Sequence, residues 1–341
     1  RAACGTVDVP VTASDSTTSV LRQEARRARG ASGSSRRPRG GAPEISPDEV
    51  SFGKHPLRVF IVIAMGAIIA ITQIPFLITI WFSLQRWNLT QPNNRGFVWF
   101  ENYATVFTIG AFWPAVLNSI VITVVALAIV LGGGLALAAM VNAKFPTRGI
   151  ARTLLFIPFL VPASASALMW KNSMLHPTFG LVNGVLSVFG IPAIDWTSQH
   201  PLLSVIVVSA WQWAPFAMVI LLAGLQSQNE SVLEAARLDG ANRMQVFRHI
   251  TLPHMRPYIE ISGLLSAIFI SQLIDPIVLM TQGGPGTATT TIPYLLYNTA
   301  FRGFDVGLSS AMGVLIVLFT IPIATIVLRL FSRSFSSGGG R

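Results

Sequence analysis

The sequence predicts an all-α integral membrane protein with six transmembrane helices and both termini on the cytoplasmic side. Composition is the first reason. Hydrophobic residues make up 52% and charged residues only 11% of the 341, where ordinary soluble domains carry about 25% charge. Mean hydropathy is +0.59. The second reason is a series of apolar runs, each long enough for a hydrocarbon core that needs about 20 residues. The third is the uneven placement of cations between those runs.

Taken in order, residues 1–50 are a different material, rich in Ser, Thr, Gly, Pro and Arg, with Arg22, Arg26, Arg27, Arg29, Arg36, Arg37 and Arg39. They offer no apolar set for a core and read as a disordered basic tail. The tail has no apolar h-region and does not read as a signal peptide. The sequence begins at Arg1 rather than Met, which leaves the natural start open. The expected spans run from Val59 to about Leu84, Ala115 to Val141, Ile150 to Trp170, Leu202 to Gln226, Tyr258 to Met280 and Val306 to Phe331, with a short tail at 334–341. Pro75, Pro158 and Pro162 fall inside spans, where neighbouring helices can satisfy freed carbonyls. Gly132-Gly133-Gly134 permits close helix contact.

With six crossings, Lys54, Arg58, Lys144, Arg148, Arg152, Arg237, Arg243, Arg248, Arg256, Arg329 and Arg333 share one side, and Arg86, Arg95, Lys171 and Arg302 the other. The richer side is cytoplasmic. A net charge of +10 could indicate nucleic acid. Here the cations sit at span ends and in the tail, so the implied partner is the bilayer and not nucleic acid. Cys4 is the single cysteine, which excludes a disulfide framework or a cysteine metal site within one chain.

The loop 227–257 is the longest charge-bearing segment in the last two-thirds of the chain. Ser231 and Glu234 have the spacing of a capping box, and Gly240 can supply a left-handed stop. A second helical run with Met244, Phe247 and Ile250 follows, interrupted by Pro253 and Pro257. Glu234-Ala235-Ala236, then Asp239-Gly240, then Ile250-x-Leu252-Pro253 resembles the cytoplasmic signature of ABC importer permeases. Phe97-Val-Trp-Phe-Glu101-Asn102-Tyr103 resembles the Gly-x-x-Asn-Tyr segment of the carbohydrate group, although Phe100-Glu101 stands where a Gly-containing turn is more usual. Thr281-Gln-Gly283-Gly284-Pro285 and the step through Asp305 into the last span resemble that maltose-transporter-like, sugar and polyol group as well.

The resemblance spans 55–333. It implies a permease subunit in a bacterial plasma membrane, with no cofactor of its own and no catalysis of bond-making. The implied partners are a second, homologous permease, two ATPase subunits and an extracytoplasmic solute-binding protein. It also implies that Glu234, Ala235, Ala236, Asp239, Gly240, Ile250, Leu252 and Pro253 couple the chain to ATP hydrolysis. Transport would then proceed by alternating access.

Polar groups inside spans are candidates for the substrate pathway. Asp275, with Gln272 three residues before it, lies roughly 25 Å along the fifth span at 1.5 Å per residue. It reads either as a substrate contact or as a residue at the outer mouth, solvated or paired with Arg302. Trp211 and Gln212 suit a sugar, since rings stack on C–H faces and amides bond hydroxyls; Trp near a span end is equally an interfacial anchor. Asn118 opens the second span, where it could also anchor the helix. No G-x-x-x-x-G-K-[ST], H-E-x-x-H or G-x-S-x-G occurs. His249 and His254 are separated by Pro253 and do not share a helix face, so no metal site is expected. Two other readings stand beside the carbohydrate importer: a permease of the same superfamily for another solute class, and a membrane-embedded enzyme or channel.

Overall fold

In the computed structural model the described residues are 54–143, 145–318 and 320. The basic tail 1–50, the end of the sixth expected span and the C-terminal tail lie outside them. Helix α1 is Lys54–Ser83. Its first half, to Ala67, belongs to a separate unit and is apolar from Val59. From Ile68 on, Ile68, Ile69, Ile71, Ile74, Leu77 and Trp81 are exposed.

The core is built on α3 (Phe112–Asn142) and α8 (Pro201–Gln226). One face of α3 carries Ala115, Asn118, Ile122, Ala126, Val130, Gly134 and Ala138, three or four residues apart, and all are buried. Small side chains on this face let the helices approach closely, which is how helices associate where lipid is as apolar as leucine. Gly134 is the contact: a Cβ there would stand 2.8 Å from Ala217 Cβ and 3.1 Å from the Met218 nitrogen. Gly132 and Gly133, expected to share that role, meet nothing within 4 Å. Helix α11 (Leu252–Ser271) packs on both through Met255, Ser262, Gly263, Ser266 and Ile270.

Two expected spans are broken. The stretch 150–170 is α4 (Arg148–Leu160) followed by α5 (Ala163–Met169) and a π turn at Trp170–Met174, bent by 96°. Pro162 has no N–H to continue the α4 ladder and instead stands before the first turn of α5. The stretch 258–280 ends its helix at Ser271 and restarts at Asp275-Pro276 into a π turn, Ile277–Thr281. Again a proline without an N–H stands in the first turn of the new segment. Lys171 Nζ donates to Leu279 O at 3.0 Å and links the two π turns. Among the described residues, three helices are long and apolar enough to cross a membrane, or four counting the bent pair.

At the end where α3 and α8 begin, strands β1 (Gln85–Arg86) and β2 (Gly96–Phe97) pair antiparallel, and α2 (Glu101–Thr108) follows. Asn102, buried, donates to Ser83 O and Gln85 O, both at 2.8 Å. Trp87 O accepts from Val306 and Gly307 N–H, stitching this hairpin to α13 (Val306–Leu318). Gly307 lies so close to Gln85 O that a Cβ has no room. Beyond the bent pair, α6 (Leu181–Val188) and α7 (Trp196–Gln199) fold around buried Asn183. Asn183 donates to Pro177 O and Ile194 O and accepts from Trp196 Nε1. Asp195 caps α7, and the Ser198 hydroxyl, ahead of Thr197, holds its carboxyl below the ordinary value. That stabilisation is present above the ordinary carboxylate pKa and is lost as pH falls through the lowered one.

Replacing Asn102 by Ala leaves two buried carbonyls without their donor. The expected loss is on the order of 2 kcal/mol, read as a lower melting temperature of the purified protein.

Candidate functional site

Between α8 and α11 the chain forms a folded loop. Asn229, in extended conformation, is the N-cap of α9 (Glu230–Leu238) and accepts from the Ser231 N–H. The capping box expected from Ser231 and Glu234 is therefore absent. Asn229 takes the cap two positions earlier, and the Ser231 hydroxyl donates to Asn229 Oδ1 at 2.8 Å. This leaves the Glu234 side chain unused: it is exposed, and makes no hydrogen bond or ion pair among the described residues.

The stop at Gly240 is as read. Gly240 has φ +82°, its N–H bonds Arg237 O, and the Ala241 N–H bonds Ala236 O. This pair of bonds is a Schellman motif, which satisfies carbonyls that a helix end leaves open. Asp239 is the last half-helical residue. A true capping box opens α10 (Arg243–Val246): the Asn242 side chain accepts from Gln245 N–H, and the Gln245 side chain accepts from Asn242 N–H.

Pro253 and Pro257 do not interrupt the helix as expected. The chain runs through a π turn, Phe247–Thr251, into α11, where Pro253 follows directly on that turn and Pro257 lies within the helix. Ile250 lies in the π turn and Leu252 begins α11, both partly buried. The loop also exposes large apolar groups: Leu238 is 88% and Met244 69% exposed, beside Val232 and Phe247. A solvated loop has no reason to hold them outward, whereas a docking surface does.

The intramembrane candidates do not gather in one place. Gln212 is buried, and its Nε2 donates to Val161 O at 3.0 Å, the carbonyl at the α4–α5 bend. Gln212 Oε1 is buried without a partner among the described residues. Trp211 lies edge-on to Trp170 at 5.6 Å. Asn118 Nδ2 donates to Thr287 O at 2.8 Å and Thr290 O at 3.0 Å, holding the corner before α12 (Ile292–Phe301). Its neighbour Ser119 accepts from the Ile292 N–H.

Gln272 is exposed at the end of α11. Asp275 begins the next segment, half-buried, so the two do not share one helix face and the depth along a continuous helix does not apply. Asp275 has no hydrogen bond or ion pair among the described residues, and Arg302 is not paired with it. The sequence reading passed over a ring cluster in which Trp213 stacks on Phe269 at 4.8 Å, with Phe159 and Phe216 around it. Trp213 Nε1 is buried and unpartnered. Phe216 lies on the same helix as Trp213, and Phe159 and Phe269 come from two other segments, α4 and α11. No group of three His, Cys, Asp or Glu could hold a metal among the described residues. His249 bonds Gln245 O and His254 turns elsewhere.

A helical body with long apolar helices, broken spans and a capped, outward-facing loop is the architecture of a membrane transport subunit. Residues 128–337, more than half of the chain, match the family described as binding-protein-dependent transport system inner membrane component, and the chain belongs to that family. It is 35% identical to the probable ABC transporter permease protein y4oQ of Sinorhizobium fredii, over 79% of this chain and 87% of that one. It is 31% identical to the trehalose/maltose transport system permease protein MalF of Thermococcus litoralis, over 75% and 86%. In fold it is similar to a chain of a bacterial ABC transporter that imports the acidic polysaccharide alginate. The TM-score is 0.69 at 23% identity, covering 81% of this chain and 95% of that chain.

Asn242→Ala removes the side-chain acceptor for the Gln245 N–H and leaves only the backbone half of the capping box. About 1 kcal/mol of local order is lost, seen as hydrogen exchange faster by roughly fivefold at 243–247 with α8 unchanged.

Proposed function

We propose that the chain is one permease half of an ABC importer for a sugar or polyol, and that the loop 229–251 receives the force of ATP hydrolysis. One observation carries this reading. Glu234 is left without local work in a loop that also holds the apolar side chains of Val232, Leu238 and Met244 outward, beside exposed Arg237. A carboxylate amid exposed apolar side chains suits a cleft with a basic residue in it, as the family resemblance implies for an ATPase subunit. Ala235, Ala236, Asp239 and Gly240 shape that helix and its stop; Ile250, Leu252 and Pro253 lead it into α11.

Six spans fit the same reading: α1, α3, the bent α4–α5 pair, α8, α11 with its continuation to Thr281, and the apolar stretch that opens with α13. Eleven cations against four support a topology with both termini and the loop on the cytoplasmic side of a bacterial inner membrane. Six spans make half a pathway, so a second permease, two ATPase subunits and an external solute-binding protein complete the machine. Breaks at Val161-Pro162 and at 272–274 suit walls of a polar pathway, since irregular backbone at depth survives only against protein or water. Alternating access follows when closure of the ATPases moves the loop and rocks these spans.

Carbohydrate is supported by the relative named for trehalose and maltose, by the Gly-Gly-Pro corner, and by rings beside an unfilled amide acceptor at Gln212. Trp211, Gln212, Gln272 and Asp275 are the proposed pathway residues. Asn118, whose amide hydrogens hold the 287–290 corner, acts by positioning it.

The test is ATPase activity of the reconstituted complex with its binding protein loaded in turn by sugars and polyols. Stimulation by one carbohydrate class is expected, and stimulation only by another solute class overturns the substrate assignment. Glu234→Lys is expected to lower transport at least about tenfold while the complex still assembles; undiminished transport removes Glu234 from coupling. Trp211→Ala and Asp275→Asn are expected to raise the KM for transport by about three- to tenfold.

A further inference from the structure

We propose that Ser227, His254 and Tyr258 form a clamp joining the two feet of the 228–253 loop, which makes them positioning residues for coupling. The proposal rests on the coupling role given to that loop. Ser227 is the residue after the last turn of α8, and His254 and Tyr258 lie in the first two turns of α11. The Ser227 hydroxyl donates to Gly224 O at 2.9 Å. It also contacts His254 Nε2 and Tyr258 Oη, each at 2.9 Å. A hydroxyl has one hydrogen and two lone pairs. With its hydrogen given to Gly224 O, Ser227 accepts from both His254 Nε2–H and the Tyr258 O–H. One oxygen thus uses its full capacity to bind α11 to α8.

The backbone beneath is shaped for this. A Cβ on Gly224 would lie 2.5 Å from Tyr258 Cγ and 2.9 Å from Met255 Sδ, so the tyrosine ring rests on bare helix. Met255, beside it, is fully buried. The two feet are therefore packed as well as hydrogen-bonded.

The mechanical consequence follows from where the loop is soft. Load applied at Glu234 can reach α8 only through 227–229, and α11 only through the π turn at 247–251. Unclamped, either connection could bend and leave one helix behind. Clamped, α8 and α11 must move together, and these two helices carry Gln212 and border the break before Asp275. The clamp converts one docking helix into a joint displacement of two spans.

The test uses the full complex in liposomes, comparing wild type with Ser227→Ala, Ser227→Thr and Tyr258→Phe. The phenylalanine variant keeps the ring on Gly224 and removes one hydroxyl. Wild type must first show ATPase stimulation by loaded binding protein; its absence would sink the importer reading, not the clamp. Given stimulation, Ser227→Ala and Tyr258→Phe are expected to assemble, keep basal ATPase, and move at least about fivefold less solute per ATP. Ser227→Thr, which retains the hydroxyl, restores the ratio. Unchanged solute per ATP in both deletions overturns the proposal. Hydrogen exchange gives an independent reading on the permease in detergent: Ser227→Ala is expected to speed exchange at 224–228 and 252–258 while 230–246 stays as in wild type. Equal exchange at both feet also overturns it.

Discussion

The structure depends on how closely α3 and α8 can approach. Lipid offers no penalty for an exposed leucine, so the hydrophobic effect that closes a soluble core does not draw these helices together. What remains is dispersion between surfaces that fit, and that falls off within an ångström of separation. Gly134 against Ala217 and the Met218 backbone sets this distance. The buried face of α3, mostly Ala and Val, keeps it along nearly the whole helix. Helix α11 closes the third side with Gly263, Ser262 and Ser266 by the same device.

Against this tight triple packing the broken elements are held by polar side chains. Carbonyls released at a proline need a donor in a medium without water. Gln212 supplies one to Val161 and Lys171 one to Leu279, while Asn118 bonds two carbonyls of the corner before α12. Lysine, glutamine and asparagine within apolar sequence look like substrate contacts. Part of each is spent on backbone. Gln212 alone of these three retains a buried, unpartnered atom, and that oxygen is what keeps it a candidate for solute.

Much of this was legible from residues alone. Gly240 announced a stop because only glycine takes that φ without strain, and the Glu-Ala-Ala spacing located the loop. The N-cap was misplaced because Ser231 and Glu234 have a capping-box spacing, yet Asn229, an equally good cap residue two positions earlier, accepts from both the Ser231 N–H and the Ser231 hydroxyl. The bend after Val161 could not be read from Pro162, since a proline in a membrane helix is tolerated whenever neighbours answer its carbonyls. The depth of Asp275 was misjudged for a related reason: a span counted at constant rise conceals a restart. Asn102 and Asn183 were invisible as hubs, because their partners lie on separate turns that only the folded chain brings near. The tyrosine–histidine–serine junction was invisible likewise, its members standing 27 and 31 residues apart.

The local closure of the loop has a wider consequence. Asn229, the turn at Gly240, and the reciprocal pair Asn242 and Gln245 draw their bonds from residues 229–245 alone. Such a segment carries its own folding instructions, as a cassette does. Transplanted between the same two helix ends of another permease, it would keep its shape and bring with it the docking preference proposed above. Lineages could then exchange motors among many transporters by recombining a few dozen nucleotides, leaving the solute pathway untouched.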